Sequence, residues 1–157
     1  MGTAQAAPKP DDPNKQTPWD LYLTSVEAAE MVSTKGDQVL FVDVREPVEI
    51  MFTGFTELVD INVPFLLVNP AKWHPKKPVL LMERNPDFAA GIERALAKKG
   101  LDKSAPIILM CRSGGTRGAP SAKALQGLGF KSVYVVTDGF EGEKNKSNPD
   151  SPQRNLD

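Results

Sequence analysis

Ile107-Ile108-Leu109-Met110-Cys111-Arg112-Ser113-Gly114-Gly115-Thr116-Arg117 decides how this chain folds. Four consecutive apolar residues read as a short strand buried on both faces, as in a parallel sheet. The apolar run stops at Cys111. Two glycines among polar residues then permit a tight turn. Apolar residues recur at helical spacing from about Gly118 to Leu128, and Gly129 ends that pattern. The stretch is therefore a strand, a curled loop and a helix, with the cysteine where the strand hands over to the loop.

The same alternation extends outward. Val133-Tyr134-Val135-Val136 reads as the last strand, and Val39-Leu40-Phe41-Val42, ending in Asp43, as an earlier one. Asp20-Leu21-Tyr22-Leu23 and Leu58 to Val63 are weaker strands. Thr24-Ser25-Val26-Glu27 has the form of a capping box, opening a helix through Ser33 that buries Val26, Ala28, Ala29 and Met31 and stops at Gly36. Asp87 is placed to cap a second helix over 88–99, with Phe88, Ile92 and Leu96 on one face and Gly100 at its end. Between 69 and 86, Pro70, Pro75, Pro78 and Pro86 exclude a regular helix. A long surface excursion is expected there, docked by Trp73 and the run Val79-Leu80-Leu81-Met82. Strands alternating with helices define an α/β domain with a mostly parallel sheet. Ligands of such sheets bind beyond the carboxyl ends of the strands, where Cys111 falls.

Composition narrows the chemistry. The 157 residues are 40% hydrophobic and 25% charged, enough for one core of ordinary size. Net charge is -1, from 19 Lys+Arg and 20 Asp+Glu, which argues against nucleic acid as a partner. The longest apolar stretch, Val63 to Val68, is far too short to span a membrane. One cysteine and one histidine cannot make an internal disulfide or a Cys/His zinc site. No metal or organic cofactor is expected. Residues 1–18 hold four of the fourteen prolines and read as a disordered arm; 19–143 form the domain, and 144–157 a polar tail. Two readings of the start stay open. Ala4-Gln5-Ala6-Ala7-Pro8 is like the small-residue stretch around a leader cleavage site, which implies a periplasmic or secreted protein; otherwise the arm is a low-complexity tail on a cytoplasmic one.

Cys111 is the one obvious nucleophile. A loop curled by Gly114 and Gly115 can aim amide hydrogens inward, and the following helix points its positive end at the same place. Arg112 and Arg117 add charge that does not titrate at ordinary pH. A free thiol ionises near pH 8.5, and comparable settings lower this to roughly 3.5–7.5. A reactive thiolate cradled by donors is the expectation.

Cys111-Arg112-Ser113-Gly114-Gly115-Thr116 resembles the active-site loop of the rhodanese family of sulfurtransferases. Further stretches are similar in the family's order. Val42-Asp43-Val44-Arg45-Glu46 with Glu49 resembles the amino-terminal signature, and Ile61-Asn62-Val63-Pro64-Phe65 the segment after it. Ser121 to Leu125, Gly129-Phe130 and Val133-Tyr134 match the helix and last strand, and Asp138-Gly139-Phe140 the closing signature. The resemblance implies a three-layer rhodanese-like domain with a central, mostly parallel five-stranded sheet flanked by helices. It also implies a persulfide cycle. Cys111 attacks an anionic, thiosulfate-like donor, held by Arg112, Ser113, Gly114, Gly115, Thr116 and Arg117. The sulfur then passes to cyanide, a thiol, or a protein acceptor.

Two other functions fit parts of the sequence. Cys111 and Arg117 satisfy Cys-x5-Arg, the spacing of cysteine-dependent phosphatases, with arsenate reduction as a related variant. Met110 stands where such phosphatases usually carry histidine, and Asp138, Glu141 and Glu143 are the candidate acids for the leaving group. The third reading is a non-catalytic sulfur-carrier or docking module that uses the proline-rich excursion. Asp43 is expected to pair with an arginine or with loop amides and so to orient the loop. His74 reads as a partly exposed loop residue.

Overall fold

The computed structural model describes residues 7–113 and 116–142. Its elements, in chain order, are β1 (Tyr22–Leu23), α1 (Ser25–Lys35), β2 (Leu40–Asp43), α2 (Pro47–Thr53), β3 (Ile61–Asn62), β4 (Leu66–Trp73), β5 (Leu80–Arg84), α3 (Phe88–Lys98), β6 (Pro106–Met110), α4 (Gly118–Lys123) and β7 (Ser132–Val136). Five strands form one sheet in the order β1-β7-β6-β2-β3. Every neighbouring pair in it is parallel. The expected α/β architecture, a five-stranded sheet flanked by helices, is what the chain adopts.

The alternation of side chains divides the core in two. Ile107, Leu109, Val133 and Val135 face α3 and α4, meeting Ile92, Leu96, Ala122 and Leu125. Ile108, Met110, Phe41 and Val136 face the other way, toward Ala28 and Met31 of α1. Central strands covered on both faces read as unbroken apolar runs because no position in them meets water. Gly118 lets α4 lie directly on β7, since a Cβ there would stand 2.6 Å from Val135 Cγ1. The capping box at the start of α1 is present: Glu27 N–H donates to Thr24 Oγ1 (3.2 Å), and Thr24 N–H to Glu27 Oε2 (2.7 Å). Among the described residues no helix is long and apolar enough to cross a membrane.

Several expectations are corrected. Val26 is 57% exposed, so α1 buries Ala28 and Met31 without it. Asp87 stands at the start of α3, but its carboxylate makes no capping bond and pairs instead with Arg94, about two turns along the same helix. α4 ends at Lys123, and turns carry the chain onward to Leu128, with Gly127 already left-handed at φ 77°. Residues 7–18, expected as a disordered arm, lie against the domain. Ala7 N–H donates to Tyr22 O (2.9 Å), Thr17 N–H donates to the Tyr22 hydroxyl (2.9 Å), and Asp12 caps a single 3-10 turn over Pro13–Lys15. Prolines with fixed φ and short polar side chains hold this path without much apolar content. Residues 1–6 and the tail read over 144–157 fall outside the described residues.

The excursion is real but ordered: β4 and β5 form a separate antiparallel hairpin. Pro70 sits where the register shifts between Asn69 and Trp73, and Pro75 and Pro78 lie in the connection, places where a missing N–H breaks no ladder. Trp73 does not dock the hairpin; it is 72% exposed.

Candidate active site

Cys111 follows β6 directly, beside the end of β2. Asp43 is in register with Met110, and Val44 N–H continues the ladder to Met110 O at 2.9 Å. The site is thus built from the carboxyl ends of the two central strands, as the parallel sheet predicts.

Beneath it lies a buried ion pair. Arg45 Nη2 stands 2.7 Å from Asp43 Oδ2, Arg45 Nε donates to both carboxylate oxygens at 3.0 Å, and both side chains are out of solvent. The guanidinium also donates to Thr53 Oγ1 (2.7 Å) and Gly54 O (3.0 Å), and it covers the Phe140 ring at 3.9 Å. Asn62 Nδ2 donates to the carbonyls of Asp43 (2.9 Å) and Arg45 (2.8 Å). Asp43 therefore does pair with an arginine, two residues on. The pair ties β2, the end of α2 and the closing segment at 140 into one support.

The closing segment meets the loop through its backbone. Phe140 N–H donates to Cys111 O and Glu141 N–H to Arg112 O, both at 2.8 Å. Gly139 makes this approach possible. At φ 70°, a Cβ there would fall 2.7 Å from Ser113 N and 2.8 Å from Cys111 O. Asp138 accepts from Ser25 N–H (3.0 Å) and Ser25 Oγ (2.7 Å), joining the segment to α1.

Cys111 is wholly buried, and its Sγ lies 3.7 Å from Ser113 O. Thr116 closes on the same carbonyl, through its amide (3.4 Å) and Oγ1 (3.3 Å). Gly114 and Gly115, read as part of the substrate loop, lie outside the described residues.

Both loop arginines already hold carboxylates. Arg117 bonds Glu49 through two parallel contacts, Nη1 to Oε2 at 2.5 Å and Nη2 to Oε1 at 2.7 Å. Arg112 Nε bonds Glu141 Oε2. Burial alone pushes the Glu49 carboxyl up. The Arg117 hydrogen bonds and charge, the Glu46 amide and the Arg112 charge outweigh it, leaving Glu49 below the ordinary 4.5. Burial likewise disfavours the Arg117 cation, but Glu49, then Cys111 and Asp43, hold its pKa above the usual value. Glu49 thus belongs to the site as a partner of Arg117, a role the sequence reading did not give it. Its place in the amino-terminal signature was the available signal. Among the described residues no group of three or more His, Cys, Asp or Glu is placed to hold a metal.

A cysteine between a central parallel strand and a helix, braced by a closing segment that only glycine can complete, defines a rhodanese-type site. The chain belongs to the Rhodanese-like domain family, whose pattern matches residues 24–146. It is similar to Rv0390 from M. tuberculosis, with 27% identity, a TM-score of 0.54, and coverage of 80% of this chain and 83% of that one. It is also similar to RPA3614 from Rhodopseudomonas palustris CGA009, described as a possible tyrosine phosphatase (23% identity, TM-score 0.47, 76% and 75% covered). A third likeness is to the polysulfide-sulfur transferase homodimer of Wolinella succinogenes (22% identity, TM-score 0.47, 80% and 70% covered). No curated protein matches the chain.

Proposed function

We propose that the protein is a sulfurtransferase that carries a sulfane sulfur on Cys111. The observation that carries this reading is the position of its only cysteine, at the carboxyl end of β6 in a rhodanese-like domain, inside the loop that ends in Arg117. In this reading Cys111 reacts as the thiolate. The thiolate attacks the outer sulfur of a thiosulfate-like donor. The donor S–S bond breaks and sulfite departs with the electron pair. A persulfide remains on Cys111, and cyanide, a small thiol or a protein thiol removes its terminal sulfur.

Arg117 contributes charge at the anion's position, but only after the donor displaces Glu49 from it. Arg112, Ser113 and Thr116 supply the rest of the rim, and Gly114 and Gly115 supply further amides in this reading. The chemistry needs no metal or organic cofactor.

The Cys-x5-Arg spacing supports phosphoryl or arsenate chemistry as a second reading. Among the described residues the candidate acids are engaged, Asp138 by Ser25 and Glu141 by Arg112; Glu143 lies outside the described residues. Incubation with thiosulfate plus cyanide, and separately with an aryl phosphate, separates the two. Thiocyanate release without phosphate release is expected; phosphate release alone reverses the assignment. Failure of both assays, with a persulfide still formed, would favour a sulfur carrier.

A further inference from the structure

Helix α2 buries none of its residues. Met51 is 80% exposed, Phe52 82% and Phe55 67%. Single exposed apolar side chains are ordinary, but a contiguous group of large ones marks a contact surface. A seven-residue helix has little stability of its own. Its capping box and the Arg45 bonds to Thr53 and Gly54 hold α2 in place, with its apolar side turned out.

The charge around this face is one-sided. From Glu46 to Ala71 there are four acids and no Lys, Arg or His. Glu49 and Asp60 are consumed by Arg117 and Lys99, which leaves Glu46 and Glu57 beside the apolar face. The tip of the β4–β5 hairpin has the opposite character. From Lys72 to Met82 there are three lysines and no acid, though Lys72 pairs with Glu83 just beyond. Lys76 and Lys77 are exposed there between Trp73 and Val79, themselves 72% and 49% exposed. One chain thus carries two uncovered apolar surfaces of opposite charge.

We infer that a second copy of this chain covers α2 with its hairpin tip. Trp73 and Val79 lie on Met51, Phe52 and Phe55, and Lys76 and Lys77 face Glu46 and Glu57. Reciprocal exchange of the two tips closes the pair as a two-fold dimer. The contact lies on the helix whose Glu49 holds Arg117, and so borders the Cys111 loop. The inference stands whatever reaction Cys111 performs.

Sedimentation velocity on the full chain over a range of concentrations tests it. A dimer is expected for the unaltered protein. Phe52→Glu and Trp73→Ala should each weaken dimerisation by tenfold or more, in the order of an exposed aromatic contact. Both positions are largely solvent-exposed, and unchanged circular dichroism shows that the fold is kept. Mixing the two variants leaves one tip-to-helix contact intact and should restore part of the association. A monomer at every concentration would overturn the proposal and leave the face to a different protein. So would a dimer indifferent to both substitutions.

Discussion

Glu49 and Arg117, on different elements and 68 residues apart in the chain, meet in a two-point ion pair at 2.5 and 2.7 Å. Their side chains are only 18% and 15% exposed. The arginine that ends the Cys111 loop is therefore already occupied, and an incoming anion competes with a carboxylate for it.

Glu49→Gln should remove that competition while keeping an acceptor for the Glu46 amide that caps α2. Alkylation of Cys111 by iodoacetate, an anion, should then gain roughly 3- to 10-fold relative to iodoacetamide, which is neutral. That range corresponds to an ion pair worth about 1 kcal/mol. A general loosening of the fold would speed both reagents alike, so an unchanged ratio contradicts the competition.

The same pair predicts a pH dependence of stability. Glu49 is held below its ordinary value in the folded chain. Its contribution is therefore fully present above about pH 4.5 and is lost as pH falls through the lower folded value. Urea midpoints of the unaltered chain and of Glu49→Gln should differ at about pH 7, and the gap should shrink as pH falls below the ordinary 4.5. A constant gap across that range would show that Glu49 does not titrate with the pair.

Gly139→Ala introduces a Cβ within 2.8 Å of three backbone atoms of the Cys111–Ser113 segment, at φ 70°. Backbone cannot give way as a flexible side chain can. A loss of roughly 2 kcal/mol or more is expected, together with most of the activity. Gly100→Ala is the control: φ is 76°, but nothing lies within 4 Å. It should cost only the left-handed strain, roughly 1 kcal/mol, and leave turnover unchanged. Equal losses at both positions would mean that Gly139 is there for its dihedral alone.

Asp43→Asn leaves the wholly buried Arg45 guanidinium without its countercharge. A loss of about 3–5 kcal/mol is expected in chemical denaturation. Adding Arg45→Met should recover part of it, because the orphaned charge disappears. A double variant that is less stable than Asp43→Asn would show that the guanidinium bonds to Thr53 and Gly54 matter more than its pairing.

The sheet was legible because its central strands are apolar without interruption, and the helix starts because Thr24 and Glu27 carry a local chemical signal. The hairpin was hidden. Its prolines exclude a helix but do not announce strands, and only the paired partner reveals that Pro70 falls at a register shift. Trp73 was expected to anchor its own loop, as large aromatics usually do, but it is 72% exposed. In the site, Cys111 and its arginines were legible from a local motif. The carboxylates that hold them were not, because Glu49 reaches Arg117 only through the fold. The covering of Cys111 and the Ser113 carbonyl contact were likewise invisible, since loop type does not fix where a carbonyl points.

Intact mass measurement after thiosulfate treatment tests the central claim most directly. A persulfide on Cys111 adds the mass of about one sulfur atom, is removed by cyanide, and is absent in Cys111→Ser. An unshifted mass, or the same gain in Cys111→Ser, would contradict it.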